Sequence, residues 1–212
     1  MNASNSGEEE RARAEWDAYD QARARYEKYE KAKSFYRSRR YQEALQIYLS
    51  LASRDSANGE LLLQIGSMYY KGLGTSKDPK EAEQWIGRAV ELGSPAARYY
   101  LAVIRSHQGR YAETIELLER AAAYAYAPAI YRLGVMYELG DTFARDRVKA
   151  YELFARAGAM GHVLAQRQIA VSLMRGERGL LLIPKGLLMI VKALVNFIRF
   201  YVADPGDERL QA

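Results

Sequence analysis

Leu61–Gly93 reads LLLQIGSMYYKGLGTSKDPKEAEQWIGRAVELG. Two apolar segments flank a turn-rich centre, KGLGTSKDP, in which Asp78 precedes Pro79. An acidic N-cap followed by proline at the first helical position is a helix-start signal. Apolar residues on either side recur at helical spacing, so the stretch predicts two helices joined by a loop. Its large–small pair, Ile65-Gly66, returns as Leu101-Ala102, Leu133-Gly134 and Ile169-Ala170, with the small residues 36, 32 and 36 positions apart. Ala32 lies 34 before Gly66 and starts the series. A second small residue follows each first one: Ala44, Ala82, Thr114 and Ala150, at 12, 16, 12 and 16 residues. Repetition at this period, with no alternating strand pattern, predicts an all-α solenoid of stacked antiparallel helix pairs.

Leu61–Gly93 resembles a Sel1-like repeat, and Ala129–Gly161, AIYRLGVMYELGDTFARDRVKAYELFARAGAMG, resembles a second copy. The second departs at GDT, where G-x-G is usual, and carries Leu153-Phe154 around the tryptophan position. The units around Ala32–Ala44 and Ala102–Thr114 resemble tetratricopeptide repeats. The resemblance implies a bacterial, non-catalytic adaptor or scaffold with protein partners, serving cell-envelope assembly or polysaccharide export. In tetratricopeptide-like repeats the first helix of each pair lines a concave face. Counted from the small residue, positions −3, +1, +4 and +5 then give a partner-binding groove. It contains Tyr29, Lys33, Tyr36, Arg37, Tyr70, Lys71, Tyr99, His107, Tyr131, Arg167 and Arg175. Tyrosine and arginine supply contact area, hydrogen bonds and cation–π reach.

Four segments are expected: a polar tail and helix extension over 1–25, the solenoid over 26–175, an apolar basic helix over 176–203 and an acidic tail over 204–212. Glu8–Arg40 lacks proline and is rich in strong helix formers, predicting one long helix with an aromatic stripe. It serves as a polar cap or as a second protein contact. The stretch GLLLIPKGLLMIVKALVNFIRFYV, Gly179–Val202, is apolar around most of its circumference. Continuing the repeat places Gly186, Ile190 and Ala193 at the small, large and small positions of a second helix. Lys185, Lys192 and Arg199 share one stripe with Asn196. Gly161–Ala203 holds six basic residues and one acid, the whole +5 excess of the chain. A basic, apolar helix of this kind predicts docking on an anionic membrane surface through Lys185, Leu188, Lys192, Val195, Arg199 and Phe200. The expected place is the cytoplasmic face of the inner membrane, peripheral or re-entrant. The alternative is a soluble scaffold or regulatory subunit whose last helix docks into a partner or a homo-oligomer.

Other classes find little support. The chain has no cysteine and two histidines, which argues against a metal site or a disulfide framework. GLGTSKD lacks the ending of a phosphate loop, and no catalytic set recurs at a working spacing. Neither cofactor nor nucleic acid is expected, because the basic excess lies among apolar residues. The polar N-terminal stretch has no signal-peptide core.

Overall fold

The computed structural model describes residues 3–52, 58–140, 144–176 and 179–203. Among them are ten α-helices: α1 (Ala3–Arg37), α2 (Tyr41–Ala52), α3 (Gly59–Lys71), α4 (Pro79–Glu91), α5 (Pro95–His107), α6 (Tyr111–Ala123), α7 (Ala127–Leu139), α8 (Arg147–Ala159), α9 (Val163–Met174) and α10 (Ile183–Ala203). No strand occurs among the described residues. A 3-10 turn over Leu180–Leu182 leads into α10. The helices form two compact units, Met1–Gly93 and Ser94–Ala212.

Each unit is a stack of helix pairs, and the small residues set the closeness of each pair. A Cβ placed on Gly66 would come within 2.5 Å of Ile86 Cγ1 and 3.1 Å of the Ala82 carbonyl oxygen. On Gly134 it would come within 2.7 Å of the Phe154 ring and 3.3 Å of the Ala150 oxygen. Farther along the same pairs, the Asp78 amide donates to the Tyr69 carbonyl at 2.9 Å, and Asp146 repeats this to Tyr137 at 3.0 Å. Position 66 therefore faces 82 while 69 faces 78, so the helices run antiparallel. In the shorter pair Thr114 replaces alanine. Its buried hydroxyl donates to the Arg110 carbonyl at 2.9 Å, and the Ala102 carbonyl lies 3.4 Å away. A buried hydroxyl without such partners would be costly.

Apolar burial joins successive pairs within each unit. Ala32, Ala44, Tyr48, Leu61, Ile65 and Met68 form one core in the first unit. Ala102, Leu118, Ile130, Leu133, Phe154 and Ala165 belong to the core of the second. Helix ends are closed by local chemistry. Asp78 and Asp146 each accept two backbone amides at the starts of α4 and α8. Asn58, Ser94 and His162 cap α3, α5 and α9. At the opposite ends, Arg25 donates to the Leu51 carbonyl at 3.2 Å and Arg156 to that of Ala122 at 2.9 Å. Both bonds fall on carbonyls in the last turn of a helix, where acceptors lack intrahelical partners, and the Ala122 carbonyl also accepts the Ala125 amide at 3.0 Å.

The loop from α3 to α4 explains the second glycine of the GLG motif. Gly74 lies in the left-handed region, and a Cβ there would sit 2.5 Å from the Tyr41 carbonyl. The corresponding departure in the second copy, at residues 141–143, lies outside the described residues.

The same substitution should have opposite effects at two helical glycines. Gly134→Ala should destabilise by about 1–3 kcal/mol through overpacking against Phe154, outweighing the helix-propensity gain of about 1 kcal/mol. Gly87 in α4 has nothing within 4 Å of an added Cβ, so Gly87→Ala should stabilise by about 0.5–1 kcal/mol. Denaturant midpoints of the two variants, moving in opposite directions, would check both. A related test concerns Ala125, in the turn after α6, whose φ of 58° is left-handed. The matching turns at 93 and 161 carry glycine. Ala125→Gly should raise the midpoint, because the left-handed conformation costs a Cβ-bearing residue about 1–2 kcal/mol.

Candidate interaction surfaces

In the first unit the sequence-selected residues lie on α1 and α3. The Tyr29 hydroxyl donates to the Glu60 carboxylate at 3.0 Å, and its ring lies 5.7 Å from that of Tyr48. Burial, with Glu60 nearby, holds the Tyr29 hydroxyl well above the ordinary tyrosine pKa. Lys33 pairs with Glu30 at 3.2 Å and lies over the Tyr29 ring. Tyr36 packs edge-on against Tyr41 at 5.3 Å. Tyr70 is half-buried beneath Lys77, whose ammonium is 5.5 Å from the ring centre. Arg37 and Lys71 are exposed. The crowding of protein around Lys71 still lowers its ammonium pKa. The tyrosines of this unit are thus partly engaged within it, while Arg37, Lys71 and Lys77 present positive charge outward.

The second unit divides the remaining residues more sharply. Tyr99 and Tyr131 are 3% and 8% exposed and belong to the core. Tyr99 packs against Tyr100 and Tyr126. Tyr131 stacks on His162 at 4.6 Å and leans on Phe154 at 5.6 Å. So placed, they offer little ring surface to a partner, unlike the open groove positions expected for them. Burial accordingly pushes both hydroxyls above the ordinary tyrosine pKa. His107, Arg167 and Arg175 are exposed. His107 Nδ1 lies 2.9 Å from the Val103 carbonyl, within its own helix. Arg175 borders a small cavity of mixed lining, with Glu138, Arg147, Tyr151, Gln168 and Ser172 beside the apolar Ala150, Phe154 and Val171. Among the described residues no cluster of three or more metal-ligating side chains forms.

His162 is a residue that sequence reasoning passed over. It is wholly buried, and its Nδ1 accepts the Ala165 amide at 3.2 Å. An accepting Nδ1 carries no hydrogen, so the neutral ring is protonated on Nε2. The repeat offered a signal. Asn58, Ser94 and His162, with Tyr126 between the last two, are spaced 36, 32 and 36 apart, as the small residues are.

The face of α10 is the clearest unfilled surface of the second unit. A Cβ on Gly186 would meet the Ala170 oxygen at 2.8 Å and Leu173 Cβ at 2.9 Å, so α10 docks on α9 in the register of a second repeat helix. Leu187, Leu188, Val191, Leu194, Val195 and Ile198 remain 53–58% exposed. At about 100° per residue, they form one continuous face turned away from Gly186. Lys185, Lys192 and Arg199 are exposed and share a row along one edge of that face. The side chain of Phe200 and residues 204–212 lie outside the described residues. Among the described residues no helix is long and apolar enough to cross a membrane.

Residues 60–94 and 127–162 match the Sel1 repeat family model. The chain carries two Sel1 repeats. They coincide with the α3–α4 and α7–α8 pairs, where the glycine crossings and the aspartate caps are found. A Sel1 repeat protein from Oxalobacter formigenes superposes with a TM-score of 0.67 at 25% identity, over 78% of this chain and 69% of that one. A sel1 repeat protein from Klebsiella pneumoniae subsp. pneumoniae gives 0.57 at 24% identity, over 84% and 95%. The c5321 protective antigen of uropathogenic Escherichia coli, with an SLR fold, gives 0.57 at 19% identity, over 81% and 38%. A comparison with functionally curated proteins returns no match. Proteins of the Sel1 and tetratricopeptide type are generally non-catalytic interaction scaffolds, so protein partners are the class this fold favours.

Two residues of the second unit should respond differently to truncation. Tyr131→Ala should cost about 3–5 kcal/mol, the loss expected for a buried aromatic ring. Arg167→Ala, on the exposed side, should stay within about 0.5 kcal/mol of the parent. Urea unfolding of the two variants checks this, and equal effects would contradict their difference in burial.

Proposed function

We propose that the chain is a non-catalytic protein-interaction scaffold held on the cytoplasmic face of an anionic membrane by α10. The single observation that carries the proposal is the uncovered apolar face of α10 with its bordering cation row. Exposed contiguous apolar surface marks membrane or protein contact sites. A helix lying in the membrane plane buries such a face in the acyl boundary and keeps lysine and arginine at the headgroups. The edge position of Lys185, Lys192 and Arg199 fits this arrangement, because α9 occupies the side that would face the cytoplasm. Held there, the outward cations of the repeat helices favour acidic surfaces on partner proteins. Assembly of the cell envelope or of exported polysaccharide is the process class proposed for such a scaffold.

Co-flotation tests the membrane step. The full chain should float with vesicles containing phosphatidylserine or phosphatidylglycerol, and much less with neutral phosphatidylcholine vesicles. Lys192→Glu with Arg199→Glu should weaken binding strongly, since each basic residue near an anionic surface contributes about 1 kcal/mol. Val191→Glu with Leu194→Glu should abolish it while leaving helicity unchanged, because both side chains point away from α9. Salt should weaken the wild-type interaction only in part. A full chain indifferent to anionic vesicles would overturn the proposal. A detergent-free assembly that protects Val191 and Leu194 would assign the face to protein docking instead.

A further inference from the structure

The N-terminal half of α1 stands apart from the core it leads into. Residues 9–24 are exposed throughout, and the packing of α1 on α2 is confined to its later turns, where Tyr29, Ala32 and Phe35 join the core. Trp16, Tyr19 and Tyr26 are nevertheless 68%, 60% and 65% exposed. They lie on one side of the helix at about 100° per residue, away from the side that carries Ala32. Trp16 and Tyr19 already touch edge to face at 6.2 Å. Aromatic residues are poorer helix formers than the alanine, glutamate and arginine around them. The helix does not need them to form, and no core residue receives them.

The charges supply an orientation. Residues 9–20 hold five acids and two bases, and residues 22–33 hold five bases and two acids. The two segments therefore carry opposite net charge on either side of Gln21. Two parallel copies of the helix would place like charge on like. Two antiparallel copies centred on residue 21 would place each acidic half against a basic one.

We infer that the free face of α1 pairs with a second copy of this chain, antiparallel and centred near Gln21. Positions 16, 19, 23 and 26 follow the alternating spacing of three and four residues that forms a coiled-coil seam. In this register Trp16 meets Tyr26 of the second copy, and Tyr19 meets Arg23. The first is an aromatic pair, and the second places a guanidinium on a tyrosine ring. Arg23 pairs with Glu27 through Nε at 3.1 Å on the same side of the helix. Two-fold symmetry doubles every contact, giving four layers from four residues.

The test uses the full chain, which contains no cysteine, so single cysteines report cleanly. Sedimentation should show a reversible dimer that weakens as salt is raised. Trp16→Glu with Tyr26→Glu should raise the dimer dissociation constant at least about tenfold while circular dichroism stays unchanged. Ala22→Cys lies beside the two-fold axis and should join two chains through a short bis-maleimide. Ala12→Cys should not, because in this register it lies opposite residue 30. A chain that stays monomeric at the highest attainable concentration would overturn the inference. So would a dimer indifferent to the Trp16/Tyr26 change, or preferential cross-linking through Ala12→Cys, which would mean parallel pairing.

Discussion

The approach of two helices at paired small residues is the contact on which the rest of this structure depends. Gly66 admits Ile86, Gly134 admits Phe154, and Gly186 lets α10 settle onto Ala170. A methyl group at any of these glycines would fall inside the contact distance of its neighbour. The crossing fixes which turn of one helix faces which turn of the next. The caps, loops and apolar layers then fall at fixed offsets. A side chain forced into such a contact would therefore shift a whole pair, because close-packed interiors yield little to added volume.

This constraint also sorts the tyrosines. In the first unit Tyr29, Tyr36 and Tyr70 sit at the margins of packed layers, each in contact with a charged group or another ring. In the second, Tyr99 and Tyr131 are drawn wholly inside. The difference arises from residues farther along the chain. Tyr126 and His162, in the succeeding inter-pair turns, close over Tyr99 and Tyr131 respectively. A tyrosine at one repeat offset is thus fully or only partly buried according to the residue laid upon it.

Two helices keep apolar surface that the described residues do not cover, and they differ in charge. The described face of α10 is aliphatic, continuous and edged by Lys185, Lys192 and Arg199, which suits the anionic surface proposed for it. That of α1 is aromatic, interrupted and flanked by an acidic half and a basic half, which suits a partner of defined geometry.

The all-helical class, the pairing of helices and the register of their crossings were legible in the sequence, including Gly186 against the α9 turn. Small residues recurring every 32 to 36 positions admit few other arrangements, because only small side chains permit so close an approach. Which repeat positions are exposed was settled only by the folded chain. Tyr99 and Tyr131 share their offset with Tyr29, yet their burial depends on residues twenty-seven to thirty-one positions away in the chain. Folding also gave His162 its capping role. Periodicity reports which side of a helix is apolar. What lies against that side is a matter of distant neighbours, and only tertiary structure brings them together.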